Sequence, residues 1–234
     1  MSSLAQAVRK SAVASPEVNR ISGLRRSTSL FSQGKPADAL YLIEEGLVKL
    51  TRMDGSGKRI ILTIRGPGHL VGDEALADLA MTYYAEAEVL TAATVFRIPR
   101  DVLVSALANN SELISALITY LLERRMALAE KVELLCLHDV EYRILHYLAE
   151  LAALVKPGDK GEGYHLPITQ LELADLIGAT RETTSTTLNQ LERRGLVHLS
   201  RRMLTIPAPH LLLRNLAGKA ASDNSSQNMV AEAV

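Results

Sequence analysis

The segment spanning residues 169–196 constrains the fold of this chain most, because its pattern indicates two short helices joined by a tight turn. Thr169 and Glu172 form a T-x-x-E capping box, which satisfies unpaired backbone amides at a helix start. Ala174 is small enough for a second helix to cross closely, and Gly178 can adopt the positive φ that ends the first helix. The pattern predicts a helix-turn-helix, whose second helix enters a DNA major groove by its N-terminal end. The alternative is an ordinary helical hairpin with a solvated face.

The second helix of this motif carries the side chains that we expect to contact DNA. Arginine can pair with guanine O6 and N7, and glutamate can accept a hydrogen bond from cytosine N4. The predicted base-contacting residues are Arg181, Glu182, Ser185 and Thr186. The predicted phosphate contacts are Thr169, Thr180, Thr183, Asn189, Arg201 and Arg202. The two arginines of the second set lie between β-prone runs at 196–199 and 203–206, which indicate a two-stranded wing.

Charge is distributed unevenly along the chain. Its 234 residues include 26 Lys and Arg and 26 Asp and Glu, so the formal net charge is zero. Between residues 169 and 219, however, seven basic residues oppose four acidic ones. A basic segment of this kind is the electrostatic footprint of nucleic-acid binding, and its affinity for DNA must fall with salt.

Composition excludes several other classes of protein. The single cysteine, Cys136, cannot hold an iron–sulfur cluster, and we expect it to be a buried core thiol. Haem needs axial ligands, for which His69, Cys136 and His138 are only weak candidates, so we expect no haem. The sequence also shows no metal-ligand cluster, nucleophile elbow or phosphate loop. We therefore expect neither a cofactor nor an enzyme. No apolar run reaches the roughly 20 residues of a membrane span and no export signal is evident, so we expect a cytoplasmic protein without a membrane partner.

The remainder of the chain divides into a β-rich half and a long helix. Short β-prone runs before residue 100 alternate with Gly-containing turns, which predicts a β-roll or barrel. Residues 111–137 form the longest helical pattern, and 140–155 form another. The long helix carries a 4-3-4-3 repeat typical of a two-stranded coiled coil, which predicts a homodimer. This predicted dimer seam comprises Ile114, Ile118, Leu121, Arg125, Leu128, Val132 and Leu135. A long helix packed on one domain is the alternative explanation of the stripe.

The order of these parts resembles the cyclic-AMP receptor protein and fumarate–nitrate regulator (Crp/Fnr) family of bacterial transcription regulators. The motifs that carry the resemblance are GLVKL at 46–50, Gly57-Lys58, GHLVGDE at 68–74, LHDV at 137–140 and TRET at 180–183. The resemblance covers about residues 20–212 and implies an α+β protein. Its expected parts are an N-terminal extension (1–19), a cyclic-nucleotide-binding-like jelly roll (20–110), a dimerisation helix (111–138), a winged helix-turn-helix (139–216) and a disordered tail (217–234). It also implies a homodimer that binds a palindromic double-stranded DNA operator and contacts RNA polymerase.

The resemblance also implies an effector pocket, which departs from the family pattern. Where cyclic-nucleotide sensors place an Arg–Ser pair on the cyclic phosphate, this chain has Tyr83 and Tyr84. The ribose-binding acid survives as Asp73, whereas the adenine-binding hydroxyls align with Leu128 and Ala129. The degenerate pocket comprises Gly72, Asp73, Glu74, Tyr83, Tyr84, Leu128 and Ala129. We therefore expect that cyclic-AMP binding is lost, and the tyrosines either line a pocket for another ligand or fill the core.

One base contact also departs from the family pattern. A third arginine that contacts DNA in the family is replaced by Thr186, which can touch a thymine methyl group or make a weaker hydroxyl contact. The predicted half-site therefore keeps a G·C core with a relaxed demand at one position. The alternative function is a ligand-sensing β-roll module that acts through protein contacts without specific DNA binding.

Overall fold

The computed structural model describes residues 3–11, 15–77, 81–108, 110–158 and 163–219. The chain divides into two compact units, Met1–Ala129 and Glu130–Val234. The long helix begins in the first unit and ends in the second, since it runs from Ser111 to Leu137.

The first unit is the predicted β-roll with helices. Its elements are α1 (Ser3–Ser11), β1 (Asn19–Leu24), β2 (Ser29–Phe31), β3 (Ala39–Glu45), β4 (Val48–Met53), β5 (Arg59–Arg65), β6 (Leu70–Val71), a 3-10 helix (Asp73–Leu76), β7 (Glu86–Val89), β8 (Ala93–Pro99), α2 (Arg100–Ala108) and the start of α3 (Ser111–Leu137). The strands form two four-stranded sheets, in the orders β1-β8-β3-β6 and β2-β7-β4-β5. Neighbouring strands pair antiparallel, so the predicted roll is confirmed.

The central strands of the first sheet, β8 and β3, are buried on both of their faces. Alternate side chains of a strand point to opposite faces, and on β3 Tyr41 and Ile43 belong to the core inside the roll. Leu40 and Leu42 belong to a second core. That second core joins the sheet to α1, α2 and α3 through residues that include Leu4, Val8, Leu103, Leu113 and Tyr120. This arrangement explains why β3 is apolar along most of its length.

The N-terminal extension predicted for residues 1–19 is in part an element of the roll unit. Leu4, Ala5 and Val8 of α1 are almost fully buried in the second core. Leu4 and Val8 are four residues apart, so they lie on one face of the helix. Residue 19 already belongs to β1. The described part of the predicted extension thus contains a helix that packs on the roll, and the first strand of the roll begins one residue earlier than predicted, at Asn19.

The second unit contains the remaining helices and a small sheet. Its elements are the end of α3, α4 (Val140–Leu154), β9 (Tyr164–Leu166), α5 (Gln170–Ile177), α6 (Arg181–Arg193), β10 (His198–Leu199), β11 (Leu204–Ile206) and α7 (residues 209–219). The sheet has the order β10-β11-β9, so the predicted two-stranded wing has a third strand. Residues 217–219 are helical, which corrects the start of the predicted disordered tail, and residues 220–234 lie outside the described residues.

Three expectations from composition concern Cys136, membrane-spanning helices and metal sites. Cys136 is exposed rather than buried, because Leu134, two residues away and on a different face of α3, is the residue that packs inward. Of the helices in the described ranges, none has by itself the length and apolar character to cross a membrane, and only α2 and α3 taken together, bent by 114°, would have both. Within the same ranges, no three His, Cys, Asp or Glu side chains cluster in a way that could hold a metal ion.

Candidate nucleic-acid interface and effector pocket

The first helix of the predicted helix-turn-helix begins with the expected capping box. The Glu172 amide donates to Thr169 Oγ1 at 3.1 Å, and the Thr169 amide donates to Glu172 Oε2 at 2.9 Å. The Thr169 hydroxyl also lies 2.9 Å from Glu172 Oε2. Gly178 ends the helix with a φ of 66°. These contacts confirm the capping box, and they show that the hydroxyl of Thr169, a predicted phosphate contact, is already bonded within the cap.

The second helix, α6, exposes the predicted base-contacting side chains along one face. Thr180 Oγ1 accepts a hydrogen bond from the Thr183 amide at 3.2 Å, so α6 begins where the sequence predicts. Leu188 and Leu191, on the opposite face of the helix, are fully buried and pack it against its unit. The four predicted base-contacting residues lie in the first two turns; Arg181, Glu182 and Thr186 are exposed, and Ser185 is half-buried. Of the predicted phosphate contacts on this helix and its cap, Thr180, Thr183 and Asn189 are exposed.

The wing is bonded to α6 by a contact that the sequence did not suggest. The Leu199 amide of β10 donates to Glu192 Oε1 at 2.7 Å, which ties the strand to the end of α6. The turn between β10 and β11 closes where the Ser200 amide donates to the Met203 carbonyl at 3.0 Å. The side chains of this turn include Arg201 and Arg202, both exposed. The predicted phosphate contacts of the wing therefore lie on a hairpin whose position is set by α6.

Two basic side chains hold the C-terminal end of α5. Lys131 Nζ donates to the Leu176 carbonyl at 3.3 Å, and Arg143 Nη1 donates to the Ile177 carbonyl at 2.7 Å. These carbonyls lack partners within the helix, and cations near a helix C-terminus also favour its dipole. Burial lowers the pKa of Lys131 to about 8, against the opposing effect of Glu150. Sequence reasoning missed both contacts, because each joins residues more than 30 positions apart.

Tyr83 fills the interior of the β-roll. Its hydroxyl donates to the Ala39 carbonyl at 2.8 Å and accepts from the Ala39 amide at 3.1 Å. Its ring stacks on Phe31 with 3.9 Å between the ring centroids, and the residue is 2% exposed. Burial raises the pKa of Tyr83. Of the two roles left open by the sequence, this geometry is that of a core side chain.

Tyr84 faces the opposite way from Tyr83. It is 55% exposed, and the Arg52 guanidinium lies 3.8 Å from the centre of its ring. The Tyr84 amide donates to Glu74 Oε1 at 3.1 Å, which links the residue to the 3-10 helix. Tyr84 therefore forms part of the roll surface.

The remaining predicted pocket residues fall into two groups. Gly72 has a φ of 82°, and a Cβ there would lie 3.0 Å from the Ala39 carbonyl oxygen and 3.2 Å from the rings of Phe31 and Tyr83. The neighbouring Asp73 has a carboxylate oxygen 3.5 Å from Nη1 of Arg124. The structure thus places Gly72 beside Tyr83 and joins Glu74 to Tyr84, whereas the carboxylate of Asp73 contacts Arg124 of α3. Leu128 and Ala129, in contrast, are exposed on α3.

The predicted dimer seam forms an exposed stripe on α3. Its apolar members are 43–61% exposed, although aliphatic side chains of this size are usually buried. Arg125 is exposed as well. The side chains that pack against the roll, Leu113 and Tyr120, are different ones. One face of α3 therefore packs against the roll, and a second face is exposed in the single chain.

Comparison with known proteins agrees with both halves of this description. Residues 23–110 match the cyclic nucleotide-binding domain family, and residues 142–214 match the Crp-like helix-turn-helix domain family. A CRP-like cAMP-activated global transcriptional regulator of Mycobacterium tuberculosis is 30% identical over 190 residues, which cover 81% of this chain and 84% of the relative. The cAMP-activated global transcriptional regulator CRP of Haemophilus influenzae is 28% identical over 171 residues, covering 73% of this chain and 76% of that protein.

Solved structures show the same architecture. A transcriptional regulator of the CRP family from Thermus thermophilus superposes with a TM-score of 0.71 and 26% identity, over 85% of this chain and 96% of that one. The c-di-GMP-responsive global regulator CLP of Xanthomonas campestris shares the fold, with a TM-score of 0.69 and 22% identity over 87% of this chain and 97% of that one. With its cyclic-nucleotide-binding type of β-roll and its Crp-like helix-turn-helix, this chain belongs to the Crp/Fnr family of transcription regulators.

Proposed function

We propose that this regulator is a homodimer that binds a palindromic DNA operator through α6 and contacts RNA polymerase at the promoter. The observation that carries the proposal is the exposed face of α6, on which Arg181, Glu182 and Thr186 extend from a helix whose other face is held by Leu188 and Leu191. Arginine and glutamate at the N-terminal end of such a helix recognise guanine and cytosine edges. The expected half-site keeps a G·C core.

The exposed stripe on α3 supports the dimer. Its side chains recur at alternating spacings of four and three residues, which is the spacing that buries one stripe against its copy in a parallel coiled coil. A two-fold dimer presents two copies of α6 to two half-sites about one helical turn of DNA apart. A palindromic operator follows from this symmetry.

We further propose that DNA binding by this protein does not require cyclic AMP. The interior of the roll is occupied by Tyr83, and tyrosine offers no guanidinium to a cyclic phosphate. A buried anion without a charge-assisted partner loses several kcal/mol of affinity. Leu128 and Ala129 also lack the hydroxyls that would bond an adenine base. The cAMP activation of the mycobacterial and Haemophilus relatives is therefore not carried over to this chain.

Selection of binding sites from random duplex DNA tests the palindromic operator and the independence from cyclic AMP together. The purified full chain is used without ligand and again with cyclic AMP. We expect the same palindromic sequences to be enriched under both conditions. Enrichment that occurs only with cyclic AMP would contradict the argument from Tyr83, and no enrichment under either condition would favour a module that acts through protein contacts alone.

Replacing Arg181 by alanine is expected to cost about 1–3 kcal/mol of specific binding free energy and to relax the preference at one base pair. The loss follows from removing a bidentate pair of hydrogen bonds to one guanine base. Titration of the variant against operators altered at each position measures both effects. Arg193→Ala, at the other end of α6, is the charge-matched control and should weaken binding to all sequences alike. Equal losses on operator and random DNA in Arg181→Ala would refute the base contact.

Replacing Arg201 or Arg202 by glutamine is expected to lower the salt dependence of binding without changing the sequence preference. Each phosphate contact contributes about 0.9 to the slope of log affinity against log salt. A dimer carries two wings, so each substitution should lower the magnitude of that slope by about 2. Binding isotherms at several salt concentrations give this value. A variant with an unchanged slope and an altered base preference would show that the wing contacts bases instead.

A further inference from the structure

A cavity of about 390 Å³ lies in the first unit between the β5–β6 segment and α3. The residues that line it are Arg65, His69, Leu70, Tyr120, Glu123, Arg124 and Ala127. Pockets for small molecules commonly measure about 300–1,000 Å³, so this cavity is large enough for one.

This cavity is separate from the space that Tyr83 fills. Leu70 and Tyr120 belong to the core between the first sheet and the helices, whereas Tyr83 belongs to the core inside the roll. The two cores lie on opposite faces of the sheet, because alternate residues of β3 enter one or the other. A ligand in the cavity would therefore not compete with Tyr83 for space.

Basic side chains converge on this cavity. The pKa of His69 is lowered mainly by burial and, to a smaller extent, by the charge of Arg65. The pKa of Tyr120 is raised by burial and by Asp73, and the charges of Arg124 and Arg65 oppose that rise. Both guanidinium groups thus lie close enough to influence the same hydroxyl. Two arginines and a histidine thus surround one buried tyrosine, and the carboxylates beside them are Glu123 and the Asp73 that pairs with Arg124.

The guanidinium of Arg124 is held in position by two contacts through one of its terminal nitrogens. Nη1 lies 3.5 Å from Asp73 Oδ1 and donates to the Tyr120 hydroxyl at 3.3 Å. The side chain is 26% exposed, so its contact with Asp73 is partly shielded from water. A guanidinium is planar and matches the paired oxygens of a carboxylate or phosphate. Because the group is already oriented, an anion that binds it loses less conformational entropy.

We propose that the cavity binds a small organic anion, with its carboxylate or phosphate group held between Arg65 and Arg124 beside His69. Leu70 and Ala127 provide apolar wall for the body of the ligand. Glu123 is the carboxylate among the lining residues, and it favours a ligand that also carries a hydroxyl or amine donor.

Sulfate is the probe for the oxyanion site, with chloride at equal ionic strength as the reference. Sulfate keeps its double charge over the range in which histidine titrates, so any shift of the His69 ring signals in NMR spectra of the full chain reports on the protein. An anion bound beside the ring favours the imidazolium form. We expect a saturable rise in the pKa of His69 with sulfate. A wild-type chain whose His69 responds equally to sulfate and chloride overturns the proposal.

Variants of the lining residues test the position of the site. Arg65→Gln and Arg124→Gln should each weaken sulfate binding roughly tenfold or more, since each removes a charged hydrogen-bond donor. Glu123→Gln should strengthen it, because a like charge is removed from the wall. Arg59→Gln, at the exposed start of β5, is the control and should have no effect. Equal affinities in wild type and Arg65→Gln, or weaker binding in Glu123→Gln, would overturn the proposal.

These measurements are independent of DNA binding. A chain that fails to select an operator can still show the sulfate response, and the reverse also holds. Arg124→Gln leaves Asp73 without the charged partner seen in the structure, so we expect this variant to lose stability. Arg65→Gln and Glu123→Gln then decide the outcome by themselves, since both side chains are at least partly exposed.

Discussion

Replacing Tyr83 by alanine should destabilise the β-roll by about 3–5 kcal/mol, as expected for removal of a buried aromatic ring. The ring stacks on Phe31, and the hydroxyl bonds both main-chain groups of Ala39 at the start of β3. The substitution therefore opens a cavity inside the roll and leaves two backbone groups without their partner. Hydrogen exchange of the roll amides in the full chain measures the loss of opening free energy.

Two further substitutions separate the contributions of Tyr83. Tyr83→Phe keeps the ring and removes the hydroxyl, so it should cost about 1–3 kcal/mol for the unsatisfied groups of Ala39. Tyr84→Ala is the control, because this exposed neighbour has only its contact with Arg52 to lose, worth about 0.5–1 kcal/mol. If Tyr83→Ala destabilised the roll no more than Tyr84→Ala does, Tyr83 would not be a core side chain. The argument against cyclic AMP would then lose its main support.

Replacing Leu121 by glutamate should dissociate the dimer. The leucine is 49% exposed in the single chain and lies in the middle of the predicted seam. Burying a fully exposed leucine contributes about 1.5–3 kcal/mol, and because about half of Leu121 is left to bury, a two-fold dimer loses about half of this value twice. The dissociation constant should therefore rise by roughly 10–10²-fold, before the cost of burying two carboxylates is counted. Sedimentation equilibrium gives the constant, and binding to a full palindrome should fall with it.

Met126 provides the matched control for this experiment. It is 71% exposed, more than Leu121, but it lies outside the 4-3-4-3 repeat. Met126→Glu should therefore leave the dimer and its DNA binding unchanged, although it adds the same charge to the same helix. A dimer that survives Leu121→Glu, or that is broken equally by both substitutions, would place the interface on another surface.

The helix-turn-helix could be predicted in detail because its signals are local. Thr169, Gly178 and Thr180 each act on backbone groups within a few residues, and the structure shows the cap, the positive φ and the second cap at these positions. The strands of the roll were likewise predicted from short apolar runs between glycine turns. Two strands before residue 32 were not predicted, because β1 and β2 are mostly exposed or half-buried and carry no clear alternation.

Other features could not be predicted because they depend on partners distant in the sequence. The third strand of the wing sheet, β9, has only three residues and exists through its pairing with β11. The burial of α1 depends on a face of the first sheet formed by β3, β6 and β8. Cys136 resembles a core residue by type, yet its position on α3 leaves it exposed.

The order of the domains, the caps of α5 and α6, the exposed face of α6 and the stripe on α3 could all be predicted from the sequence. These depend on spacing and on contacts within a few residues, which a linear pattern contains. Three other features became visible only in the folded chain: Tyr83 is buried in the roll and bonded to Ala39, Lys131 and Arg143 bind the carbonyls at the end of α5, and Arg65 and Arg124 line one cavity. They could not be predicted because burial and electrostatic environment arise from residues that the fold brings together across 30 or more positions.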